Sequence, residues 1–134
     1  MPATYEWLDE EQTVVLTVLS GEWTWADFEA ISRRYKVDLQ QITHPVYEIV
    51  YFVDGDRYWL PPNPLRYGRS VVATQPPNVV MSILVSSSTY IRSLIGIYNR
   101  LNGRGYRMEY AHTVAHARAI IAVEKRAMHQ RTSP

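Results

Sequence analysis

VYEIVYFV, residues 46–53, is built from β-branched and aromatic residues, and Glu48 alone interrupts it. A strand that is apolar at both odd and even positions is covered on both faces, as strands are when a sheet lies between layers of helices. His44-Pro45 stands before it, and the residue preceding a proline avoids helical angles, so a helix upstream closes here. VVMSILV, residues 79–85, repeats the pattern with Ser82 as its one polar position, and predicts a second inner strand. These two runs place the centre of the fold in a sheet.

Toward the N-terminus, Thr24 precedes an apolar series at Phe28, Ile31, Tyr35, Leu39 and Ile42, whose steps of three and four residues mark one face of a helix. Asp27, three residues after Thr24, completes the pattern of a capping box. Further out, YEWLD and TVVLTVLSG flank the polar DEEQ, which predicts a hairpin pairing Tyr5–Leu8 with Thr13–Leu19. Toward the C-terminus, Ser86–Thr89 offers N-caps for a helix with Ile91, Leu94, Ile95, Tyr98 and Leu101 inward, ended by Asn102-Gly103. YRMEYA, residues 106–111, alternates as a strand does. Thr113 then caps a last helix carrying Ala117, Ile120, Ile121 and Val123, and the tail from about residue 129 reads as flexible.

The two inner strands are separated by a long loop, with one helical turn expected around Pro64–Tyr67 and a short extended piece at Val71–Thr74, before QPPN (75–78) turns the chain. The predicted order is β-β-α-β-loop-β-α-β-α. Helical connections imply parallel neighbours and the hairpin adds an antiparallel edge. The fold class is therefore α/β: a single domain over residues 1–134 with a mixed sheet of about five strands, an N-terminal β-hairpin and three to four helices.

Composition narrows the function. The chain is 46% apolar and 20% charged, with a formal net charge of +1, so no overall field draws in nucleic acid. It has no cysteine, which removes disulfides, thiolate metal sites and cysteine nucleophiles. No signal-peptide pattern or membrane-spanning run is present, and the expected location is cytoplasmic. No cofactor fingerprint or nucleophile elbow occurs, so the chain reads as non-enzymatic.

VYFVD ending a central strand, NVVMSILV before a helix and YRMEYAHTVAHARAII near the end together resemble the STAS domain family, from about residue 5 to residue 125. That family covers anti-sigma-factor antagonists and the cytoplasmic domains of sulfate transporters. Its most similar details are Asp54 at the strand end and Thr113 followed by Ala117. Regulatory members carry a phosphorylatable serine about nine residues beyond the aspartate, in an Asp-Ser-Ser-Gly motif. This sequence has Pro62-Asn63-Pro64-Leu65 there, and Ser70 lies too far on, so the resemblance implies the partner-binding face without the phospho-serine switch.

The loop at 54–70 is thus the leading site. The resemblance implies a regulatory module that docks a protein partner through Asp54, Asp56, Tyr58, Trp59, Leu60, Asn63 and Tyr67, with self-association as a homodimer through a sheet edge or helix face also open. Aromatics supply contact area at little entropic cost and prolines lower the ordering penalty. The same rings can instead fold back as a satellite cluster. A second hypothesis is a small-molecule or lipid carrier using the crevice beside this loop; a third is an enzyme with Asp54 or Asp56 as acid or base beside a histidine.

The other signals are bland. Asp54-Gly55-Asp56 has no third acidic ligand for a cation and suits an Asp-Gly turn. His112 and His116 lack the glutamate of a zincin, SSST (86–89) suits N-capping, and Arg92, Arg100, Arg104 and Arg107 suit a solvated face. Trp7, Trp23, Trp25 and Trp59 suit core and rim packing.

Overall fold

The computed structural model of the chain describes residues 2–53, 61–101 and 107–132. Nine elements alternate: β1 (Ala3–Trp7), β2 (Val14–Leu19), α1 (Trp25–Leu39), β3 (Val46–Phe52), α2 (Pro64–Ala73), β4 (Val79–Val85), α3 (Thr89–Leu101), β5 (Arg107–Ala111) and α4 (Val114–Thr132). The five strands form one sheet in the order β1-β2-β3-β4-β5. β1 and β2 pair antiparallel and the other neighbours pair parallel, as the hairpin and the helical crossovers require. VYEIVYF is the middle strand.

The hairpin is fixed at its turn by Asp9. Its carboxylate accepts from the backbone N–H groups of Thr13 (3.0 Å) and Val14 (3.1 Å) and from the Thr13 hydroxyl. Burial alone would raise the pKa of Asp9, but these hydrogen bonds and the nearby Lys125 outweigh it and hold the carboxyl below its ordinary range. Asp38, on the last turn of α1, accepts from Tyr5 Oη and Trp7 Nε1, both at 3.1 Å, and so ties the helix to the edge strand. The capping box of α1 forms as its sequence predicts: Asp27 N donates to Thr24 Oγ1 at 3.1 Å and Thr24 N donates to Asp27 Oδ2 at 2.8 Å.

Strand order without a reversal sends every right-handed crossover to the same side of the sheet. α1 and α3 accordingly pack on one face, against Val50, Leu84 and Met108. α4 covers the other, where Ala117 and Ile121 meet Ile49, Met81 and Ile83. The parallel pairing of β3 and β4 skips Val80, stepping from Val46↔Val79 to Tyr47↔Met81. That irregularity matters because a one-residue slip exchanges the two faces of a strand. It sets Glu48 beside Ser82 on the α1 side and sends Ile49 and Ile83 to the α4 side.

One segment differs from its sequence reading. The extended piece expected at Val71–Thr74 is instead the end of α2, which begins at Pro64 and closes with Thr74, whose hydroxyl donates back to Ser70 O (2.9 Å) and Val71 O (3.2 Å). β-Branched Val71 suggested a strand, but Pro64 at the first helical position needs no N–H partner and initiates a helix. α1 also stops at Leu39, ahead of Ile42, and α4 continues to Thr132, through residues read as tail. Asn102-Gly103 lies outside the described residues.

Candidate functional site

Between the sheet and α1, α2 and α3 lies a cavity of about 70 Å³. Its floor is β3 and β4, with Val50 and Leu84 toward the strand ends and Glu48 and Ser82 at the deep end. Trp23, Trp25 and Phe28 wall it on the α1 side, and Ile91, Leu94 and Tyr98 on the α3 side. α2 contributes Pro64, Gly68 and Val71, whose spacing of four and three residues puts them on one helical face. Trp25, Phe52, Pro64 and Val71 are only half buried, so they mark the mouth.

α2 lies against α3 at van der Waals distance because residue 68 has no side chain. A Cβ on Gly68 would come within 2.0 Å of Tyr98 Oη and 2.3 Å of its Cζ. Tyr98 Oη donates to Pro64 O at 2.5 Å, which pins the start of α2. Burial, with a smaller contribution from Tyr90, pushes the Tyr98 hydroxyl up to about 12. On the other side, Trp25 Nε1 donates to Pro62 O at 2.8 Å and the Trp25 ring stacks on Tyr67, centroids 5.3 Å apart and planes 14° from parallel. Two bonds and one stack therefore hold the 61–67 segment over the cavity.

The deep end is polar in an otherwise apolar space. Glu48 is 2% exposed and accepts from Tyr35 Oη at 2.7 Å, Ser82 Oγ at 2.7 Å and Gln75 Nε2 at 3.3 Å. These donors come from α1, β4 and the turn after α2, so one carboxyl group gathers three parts of the chain. The buried hydroxyls of Thr17 and Ser32 on the same side have no hydrogen-bond partner among the described residues. Buried polar atoms are paired in most proteins, so such a concentration is unusual.

Of the residues singled out from sequence, Asp54, Asp56, Tyr58, Trp59 and Leu60 lie outside the described residues. Asn63 is exposed, sits at φ 61° and offers its carbonyl to the Tyr67 N–H at 3.1 Å, which makes it the left-handed lead-in to α2. Asparagine tolerates that conformation better than most residues. Tyr67 is 39% exposed, with its stacked face on Trp25 and the Arg66 guanidinium 5.9 Å from its ring centre. The ring thus packs on Trp25 and remains partly exposed.

Elsewhere, Ser88 caps α3 and Ser86 Oγ accepts from Ser88 N at 3.0 Å. His112 packs edge-on against Tyr110, and no group of three metal-ligating side chains occurs among the described residues. Arg92 lies over the Tyr110 ring and Arg107 pairs with Glu109 and Glu124. No helix among the described residues is long and apolar enough to cross a membrane.

What sequence reasoning missed is the role of Glu48 and its donors. The signal was present: each inner strand carries a single polar residue, at position 48 in one and 82 in the other. The register that brings them side by side was not. Pro64, Gly68 and Val71 likewise followed a helical period that the prolines and valines obscured.

Compared with family models, curated proteins and solved structures, the chain matches none.

Proposed function

We propose that this chain is a carrier or sensor domain that holds a small, largely apolar molecule between its sheet and helices α1, α2 and α3. The observation that carries this reading is the cavity itself: apolar walls, an aromatic mouth and a few convergent polar groups at the closed end are the usual composition of a small-ligand site. In the measure by which one water takes roughly 10–15 Å³, its 70 Å³ holds about five to seven water-sized groups. That suits a short chain or the end of a longer one emerging past Trp25.

The test is tryptophan emission, since Trp23 and Trp25 both line the space. Titrating the full chain with short-chain alcohols, amines and hydrocarbons is expected to give a saturable change with at least one class. Val71→Phe, which places a ring at the α2 wall, is expected to remove it. Changes that never saturate, or that survive Val71→Phe unaltered, count against the reading.

A second reading is favoured by Leu65, 43% exposed, and Tyr67, 39% exposed, both in the first turn of α2. They lie in the 54–70 segment that the STAS resemblance assigns to partner docking. In this reading the chain is a regulatory module without a phospho-serine switch. Loss of a captured protein partner on Leu65→Ser with Tyr67→Ser, in a chain whose thermal unfolding is unchanged, is the result it expects.

A further inference from the structure

The carboxyl group of Glu48 is the most anomalous group in the interior. It is 2% exposed on the middle strand, and the ion pairs found among the described residues, Arg33–Glu29, Arg107–Glu109, Arg107–Glu124 and Arg131–Glu124, all lie elsewhere. Its three hydrogen-bond donors among the described residues are all neutral. Tyr35 donates to Oε2, while Ser82 and Gln75 donate to Oε1. Among the described residues the carboxyl group is thus held as an acceptor without a cation paired to it. Such a group offers about four acceptor directions, so Oε2 keeps one for a further donor.

Burying an acidic group among apolar side chains is costly when nothing of opposite charge accompanies it, and evolution has cheaper ways to fill a strand position. A hydrophobic residue at 48 and an alanine at 82 would close the sheet as on the α4 face. The polar end faces the cavity that Trp23 and Phe28 wall.

Resting on the carrier reading above, we infer that the cavity takes a small primary amine, its ammonium group donating to Glu48 and its short alkyl or aryl part lying among the aromatic walls. An ammonium is three donors with no acceptor, which is the complement of this carboxyl group. Trp23 and Phe28 add ring faces, to which cations are attracted. A carboxylate or phosphate brings acceptors where Glu48 needs donors and is rejected. An alcohol of equal length can donate one hydrogen bond but supplies no charge.

The test is calorimetric titration of the full chain with n-butylamine, 1-butanol and butyrate, which match in length and differ in head group. The amine is expected to bind on the order of tenfold more tightly than the alcohol, the difference typical of a charged over a neutral hydrogen bond, and butyrate not at all. Glu48→Gln is expected to bring amine and alcohol to parity. Equal binding of amine and alcohol by the unaltered chain overturns the inference and leaves the carrier reading standing. Binding of butyrate does the same, as does an amine preference that survives Glu48→Gln. Absence of binding by all three removes both. Should Glu48→Gln fail to fold, the amine-to-alcohol ratio of the unaltered chain decides alone.

Discussion

The two faces of this sheet are made by alternate residues of the same strands, yet they are built to different ends. On the α4 face Ile49, Met81 and Ile83 are each at most 2% exposed and meet Ala117 and Ile121 directly. One residue away, on the α1 side, the same strands present Glu48 and Ser82, and the layer above them encloses a cavity. The α4 contact includes the small Ala117, whereas the cluster on the α1 and α3 side includes the large rings of Trp23, Phe28 and Tyr98. A face built for stability alone has no need of the second arrangement. The contrast points to the α1 side as the working face and the α4 side as its support.

Four changes probe that contrast, beginning with the largest. Ile83→Ala, at the centre of the closed face, is expected to cost about 2–5 kcal/mol in urea unfolding, because a fully packed site leaves a void. A cost below about 1 kcal/mol would mean that the α4 face is not the tight one. Next is Gly68→Ala. Alanine favours a helix by about 1 kcal/mol over glycine, but its Cβ would overlap the Tyr98 ring, so a net loss of about 1–3 kcal/mol and displacement of α2 are expected. A stabilised variant would show that α2 does not rest on Tyr98. Tyr35→Phe deletes one donor to Glu48 and is expected to cost about 0.5–1.5 kcal/mol, with the apolar packing of the ring kept.

The smallest effect is one of pH. The Tyr98 hydroxyl, raised from 10.0 to about 12, stays protonated in the fold at a pH where the unfolded chain has begun to lose that proton. The unfolded state then binds fewer protons than the native one, so stability falls as pH rises from 10.0 toward about 12. Below that window the contribution is fully present. Unfolding midpoints measured across it should decline for the unaltered chain and decline less for Tyr98→Phe. Asp9 acts in the opposite sense at the acid end, since its lowered value makes stability fall with pH below the ordinary carboxylate range.

The sheet was legible because its evidence is local. VYEIVYFV and VVMSILV read as buried strands from their length and β-branched content, Thr24 with Asp27 announces a helix start, and DEEQ between two β-rich runs announces a hairpin. α2 was half legible: Pro64 marked a helical turn, but Val71 and the neighbouring prolines argued for an extended chain until Gly68 and Tyr98 are seen in contact. A crevice beside the 54–70 loop was expected, but the lining of the cavity was not legible. It depends on the skipped residue Val80, on donors from three elements meeting at Glu48, and on the size of rings distant in sequence. Such features come from register and packing, which no single stretch of residues encodes. The loop aromatics drew attention for their composition, and of them only Tyr67 can be placed, stacked on a Trp25 that was read as ordinary packing.

The central claim, that one face binds and the other supports, is tested most directly by methyl NMR of the full chain during titration with n-butylamine. Saturable shifts confined to Val50, Leu84, Ile91 and Leu94, with Ile49, Ile83 and Ile121 unmoved, are the predicted result. Shifts centred on the α4-facing isoleucines, or no saturable shift on either face, would contradict it.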